Sequence, residues 1–137
     1  MNIAVIGTGM VGRLIAVELS KKYPVYAIDN NKNNLDKLKT YNAKIITKTI
    51  DVKKEDFLKS LDDAELIVNC VPGFMGFETS KKILEKKTCV DISFMPEDCN
   101  YLKTVAENAN TALYPDVGVA PGLSNMIVGN LISKNKL

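Results

Sequence analysis

The chain is 137 residues long, a length that favours a single domain with a sizeable core. Hydrophobic residues make up 46% and charged residues 25%, and eighteen basic against sixteen acidic side chains leave a formal charge of +2. This balance belongs to a soluble globular protein: the charge is too near neutral for a nucleic-acid footprint, no apolar run reaches the roughly 18 residues of a membrane span, and the N-terminus lacks the basic region and cleavage site of a signal peptide, so a cytoplasmic location is expected.

Short apolar runs alternate with longer amphipathic ones. Asn2–Ile6 predicts a strand, and Val11, Leu14, Ile15 and Leu19 then recur at helical spacing until Pro24. Val25–Ile28 is a second strand. Asn31–Thr40 is a short helix with Leu35 and Leu38 inward. Lys44–Thr47 is a third strand, placed near an edge by its polar flanks, and Lys53–Ser60 is a short helix. Leu66–Val71 is continuous and apolar, as a strand buried on both faces should be. Phe74–Glu85 reads as a helix and Thr88–Ile92 as a fifth strand. Asp98–Asn108 is a helix with Leu102, Val105, Ala106 and Ala109 on one face, Thr111–Tyr114 a sixth strand, and Leu123–Ser133 a closing helix. Six strands separated by helices imply parallel βαβ units, and right-handed crossovers favour a doubly wound α/β sheet of the Rossmann kind, with order 3-2-1-4-5-6.

The sequence contains no His, which excludes an imidazole base or ligand. Its three cysteines, Cys70, Cys89 and Cys99, are odd in number and show no metal-ligand spacing, so neither a disulfide framework nor a metal site is expected. Cys70 and Cys89 lie in apolar stretches and are expected to be core thiols.

Gly7-Thr8-Gly9-Met10-Val11-Gly12 is a GxGxxG that follows a strand and opens a helix, the context that gives this pattern its meaning. Gly7 permits the tight turn, Gly9 lets backbone approach a pyrophosphate, and Gly12 lets the helix lie close to the sheet. The free N–H groups and positive end of that helix attract phosphate. The second strand ends at Asp29, followed by Asn30, 22 residues after Gly7 and near the roughly 20 expected of a ribose-binding acid. A carboxylate there accepts from ribose hydroxyls and repels a 2′-phosphate, which favours NAD over NADP, although Lys32 would soften the repulsion. The blander alternative is a glycine turn in another α/β fold, with Asp29 as a helix cap. Asp51-Val52, after the third strand, could lie beside the adenine, and Asp51 could equally cap the helix that follows.

Ligands of such sheets bind beyond the carboxyl ends of the strands. The fourth strand ends in Val71-Pro72-Gly73, which would place backbone groups beside the nicotinamide ribose. The fifth ends in Asp91-Ile92-Ser93-Phe94-Met95-Pro96-Glu97-Asp98. The sixth runs into Asp116-Val117-Gly118-Val119-Ala120-Pro121-Gly122-Leu123-Ser124-Asn125, a path fixed by two further Gly and one Pro, with Asp116 at its mouth.

Together with the glycine turn, these three segments resemble the saccharopine dehydrogenase-like family, and within it the lysine 6-dehydrogenase group. The resemblance covers essentially the whole chain. It implies a nicotinamide dinucleotide cofactor and chemistry at a C–N bond of an amino acid of the lysine or saccharopine class. Hydride passes from the carbon bearing the amine to the nicotinamide, the amine sheds a proton, and the imine hydrolyses. The resemblance assigns Gly7, Gly9, Gly12 and Asp29 to the dinucleotide and Val71 and Pro72 to the nicotinamide ribose. It places Asp91 and Asp116 on the substrate side, as the candidate electrostatic and proton-handling groups. Family members carry a second domain that shapes the substrate pocket and usually makes the dimer. Residues 1–120 are therefore expected to form the dinucleotide-binding domain and residues 121–137 to lead toward a substrate domain beyond this chain, so that the chain alone is not expected to turn over. The last helix could also pair two chains as a homodimer. The N-terminal half is similar, too, to the nucleotide-sensing regulatory domains of potassium channels, but that class does not need the loops that follow Asp91 and Asp116.

Overall fold

The computed structural model describes residues 1–135; Lys136 and Leu137, the end of the expected closing segment, lie outside the described residues. Six parallel strands form one sheet: β1 (Ile3–Ile6), β2 (Val25–Asp29), β3 (Ile46–Thr49), β4 (Leu66–Asn69), β5 (Thr88–Asp91) and β6 (Leu113–Tyr114). Their order is β3-β2-β1-β4-β5-β6, the predicted Rossmann topology. The crossovers carry α1 (Met10–Leu19), α2 (Lys32–Tyr41), α3 (Phe57–Ser60), α4 (Gly73–Leu84) and α5 (Lys103–Ala109), the last preceded by a 3₁₀ turn at Cys99–Leu102. A further helix, α6 (Leu123–Asn135), follows β6.

The two-residue period of a strand divides the core between the two faces of the sheet. From β1, Ala4 and Ile6 pack with Phe57, Leu61, Ile83 and Leu102, while Ile3 and Val5 pack with Ala16, Leu35 and Leu38. All four β1 residues are buried, which explains why the central strands read as unbroken apolar runs. At about 1.5–3 kcal/mol for each large side chain removed from water, these two layers fix the register of the strands.

Several boundaries move for identifiable reasons. The third strand begins at Ile46 rather than Lys44, because Asn42 holds a turn: its Oδ1 accepts from Lys44 N–H at 3.0 Å and its carbonyl from Ile45 N–H at 3.3 Å. Only the second half of the Lys53–Ser60 segment is helical. Asp51 closes a turn over the first half, accepting from Lys53 N–H at 2.9 Å. The fourth strand stops at Asn69, and Cys70 and Val71 belong to the connection into α4. The repeat Val11-Leu14 does not mark the buried side of α1. Gly12 and Ala16 do, because the helix lies so close to the sheet that a Cβ on Gly12 would overlap the Gly7 carbonyl oxygen; Val11 and Leu14 stay exposed. Cys89 is the core thiol expected, but Cys70 is only partly buried.

Candidate functional site

Gly7 leaves β1 with φ +84°, a left-handed conformation that glycine adopts without strain. Its N–H donates to the Ile28 carbonyl at 2.8 Å, which keeps the turn between β1 and β2. A Cβ at Gly7 would stand 2.8 Å from the Cys70 carbonyl oxygen, so the turn is also closed against β4. Thr8 points inward and is fully buried. Gly9 then precedes α1 as its N-cap residue, and no side chain among the described residues caps that helix end. A Cβ built on Gly9 meets no atom within 4 Å. The first-turn N–H groups, which have no partner inside a helix, therefore open onto free space.

That space is a cleft of about 440 Å³ across the carboxyl ends of β1, β2 and β4, a size ordinary for a small-molecule site. Gly7, Gly9, Met10, Val11 and Gly12 form one wall. Asp29 and Asn30 stand at the end of β2, Asp51 and Val52 beyond β3, and Val71 and Pro72 after β4. The structure thus brings together every predicted cofactor residue except Thr8, whose side chain turns away from the cleft to Asp29. Asp51 lines the cleft, but it is not the expected helix cap: the helix begins only at Phe57, after Asp56, and Asp51 closes a turn ahead of it.

Asp29 is buried at the end of β2 and makes four hydrogen bonds. Its Oδ2 accepts from Thr8 N–H at 2.7 Å, Thr8 Oγ1 at 3.0 Å and Asn34 Nδ2 at 3.2 Å, and its Oδ1 accepts from Asn31 N–H at 2.8 Å. Ile6, Ile28, Asn34, Ile50, Cys70 and Met75 also line the cleft, and the sequence reading missed them. Asn34 was legible in principle. It lies five residues after Asp29, in the first turn of α2, which faces back over the strand it follows. Burial pushes the Cys70 thiol up to about 12, and the nearby Asp91 charge adds to the rise.

Asp91 and Asp116 are not among the residues that line this cleft. Asp91 is 1% exposed, packed against α4 at Ser80. Its Oδ2 accepts from Asn69 Nδ2 at 2.7 Å and Ser80 Oγ at 2.8 Å; its Oδ1 accepts from Ser93 N–H at 2.8 Å and Ser93 Oγ at 2.7 Å. The expected substrate-side acid is therefore an interior group saturated with protein donors. It holds the loop after β5 against α4, where a Cβ on Gly73 would lie 2.6 Å from the Phe94 carbonyl oxygen. Asp116 is exposed, with φ +56°, and the next residue's N–H donates to the Asp91 carbonyl at 3.0 Å.

Among the described residues, no group of acids or cysteines is arranged to hold a metal ion, and no helix is long and apolar enough to cross a membrane. The sheet is similar to that of saccharopine dehydrogenase (L-Glu forming) from Saccharomyces cerevisiae, with a TM-score of 0.85 and 18% identity over 97% of this chain. This chain spans only 31% of the yeast enzyme. A shikimate 5-dehydrogenase from Mycobacterium fortuitum matches with a TM-score of 0.65 and 14% identity, over 83% of this chain and 44% of that one. Prephenate dehydrogenase from A. aeolicus, solved with hydroxyphenyl propionate and NAD+, matches with a TM-score of 0.57 and 22% identity, over 77% and 38% of the two chains. No curated protein sequence matches this chain significantly. At these identities the solved structures speak for the fold, and the sequence family speaks for the lineage: the family described as "Saccharopine dehydrogenase NADP binding domain" matches residues 3–120, and the chain belongs to it.

Proposed function

We propose that this chain binds NAD as the cofactor domain of an amino-acid dehydrogenase acting on a C–N bond. The observation that carries the reading is the uncapped glycine start of α1 facing, across one cleft, a carboxylate at the end of β2. The residues fit a dinucleotide. Gly9 leaves room that any side chain would fill, the first-turn amides of α1 suit a pyrophosphate, and Asp29 and Asn34 suit the adenosine ribose. When bound, the nicotinamide supplies the hydride acceptor, and the chain's contribution is position and field.

The family's description names NADP, but the charges here favour NAD. Among the described residues, no Lys or Arg lines the cleft. The adjoining hollow beside Asn30 holds Lys54 together with two acids, Asp51 and Asp56. A 2′-phosphate would add two charges to a region that is already acidic.

The substrate reading is an amino acid of the lysine or saccharopine class, as in the lysine 6-dehydrogenase group. To Asp116, exposed after β6, we assign the meeting with a substrate ammonium, and to Asp91 its support from the interior, a reading supported by the bond from Val117 N–H to the Asp91 carbonyl. We read α6, whose Met126, Ile127 and Val128 are exposed, as the lead into a substrate domain beyond residues 1–120. On this reading the chain binds cofactor but does not turn over alone. Calorimetric titration with NAD and NADP tests it: NAD should bind at least about tenfold more tightly, a preference of about 1.4 kcal/mol. Binding of neither nucleotide, or a preference for NADP, would overturn the assignment.

A further inference from the structure

A carboxylate offers about four lone-pair sites, two on each oxygen, and the four donors to Asp29 are unevenly divided, three on Oδ2 and one on Oδ1. A ribose diol finds room for one hydroxyl on Oδ1, and its second hydroxyl can reach Oδ2 only in place of one of the three donors there. Three of the four are fixed. Thr8 is fully buried and supplies two of them. The third is the backbone N–H of Asn31, whose own side chain is tied to Asn33 N–H at 3.0 Å. The fourth is the Asn34 amide. It makes the longest of the bonds, 3.2 Å, from a partly exposed side chain on the cleft wall, and side-chain rotation alone can release it.

We propose that Asn34 is a specificity-determining residue for the adenosine end of the dinucleotide. In the free chain its amide is the third donor on Oδ2, in the place that the second ribose hydroxyl needs, and it gives up that place when the nucleotide binds. An amide released in this way is a donor beside the 2′ position, where it would favour a phosphate. Asn34 therefore works against the selectivity that Asp29 imposes. The inference rests on the dinucleotide reading above.

Asn34→Ala should raise the ratio of the NADP to the NAD dissociation constant about tenfold, through tighter NAD binding and weaker NADP binding. Asn34→Gln, which keeps the amide, should hold the ratio within about threefold of the parent's. Calorimetry on the three proteins reads both. In the parent, the side-chain amide resonances of Asn34 should shift on addition of NAD while the Thr8 backbone amide stays on Asp29. That second measurement needs no variant and stands even if Asn34→Ala folds poorly. A ratio unmoved by Asn34→Ala, or Asn34 resonances unmoved at saturating NAD, would overturn the role of Asn34 while leaving the dinucleotide site intact. A parent that binds neither nucleotide would overturn the site and this inference together.

Discussion

Thr8 and Asp29, 21 residues apart, are joined twice: the Thr8 N–H and hydroxyl both donate to one carboxylate oxygen, at 2.7 and 3.0 Å. The glycine turn is therefore anchored to the end of β2 before any ligand arrives. Thr8→Val removes the hydroxyl bond and keeps the amide one. Leaving a buried carboxylate short of a donor costs about 1–3 kcal/mol. Urea unfolding should show that loss as a lower midpoint at unchanged slope; an unchanged midpoint would mean that the hydroxyl bond contributes nothing.

Gly9 and Gly12 should separate binding from stability. A side chain at Gly9 meets no protein atom within 4 Å, so Gly9→Leu should unfold within about 1 kcal/mol of the parent. Its side chain would stand in the cleft, and NAD affinity should fall at least about tenfold, a loss of about 1.4 kcal/mol. Gly12→Ala should do the opposite first, because its Cβ overlaps the Gly7 carbonyl oxygen; about 1–3 kcal/mol of stability should be lost. Equal stability losses in the two variants would contradict the geometry.

The topology was legible because periodicity and the glycine turn act locally: six apolar runs, each followed by a helical stretch, leave few other sheets to build. The cofactor wall was legible for the same reason, since Gly7 and Asp29 stand at strand ends and Gly9 and Gly12 at the helix start that follows β1. What stayed hidden depends on tertiary contact. Val11 and Leu14 follow helical spacing, yet the close approach at Gly12 turns them outward. Asn34 looked like one of several asparagines until α2 folded back over Asp29. Asp91 looked like an acid at a strand mouth, and only the serines at 80 and 93 and Asn69 show it to be interior.

Two thiols should make the fold weaker at alkaline pH. Burial pushes Cys89 from 9.0 to about 12, against a partial opposing pull from its hydrogen bond to Ser80, and Cys70 also stands at about 12. An unfolded thiol releases its proton near 9, while the folded one keeps it. The unfolded state then binds fewer protons, and stability falls as pH rises from about 9 toward 12. Each thiol contributes at most about 1.4 kcal/mol per pH unit in that window and nothing below it. Unfolding free energies at pH 8 and pH 10 should fall less for Cys89→Ala than for the parent. Alkylation at pH 8.5 should be much faster for Cys70 in urea than in the folded chain, and equal rates would show its thiol to be accessible and normally acidic.

Asp91 and Asp116 set an interior carboxylate against an exposed one. Its four donors come from β4, α4 and the loop after β5, and all three contributing side chains, Asn69, Ser80 and Ser93, are themselves buried. Asp91→Ala would strand those donors in a dry interior where Asn69 Oδ1 already lacks a hydrogen-bond partner. A loss of about 3–5 kcal/mol is expected, a large share of the roughly 5–15 kcal/mol that holds a typical domain together. Asp91→Asn keeps the shape but turns one acceptor into a donor facing other donors, so it should fall between Asp91→Ala and the parent. Asp116→Asn, at an exposed site whose left-handed φ of +56° an asparagine also tolerates, should unfold within about 0.5 kcal/mol of the parent. If denaturation placed Asp91→Ala beside Asp116→Asn, the carboxylate under α4 would not be holding the loop.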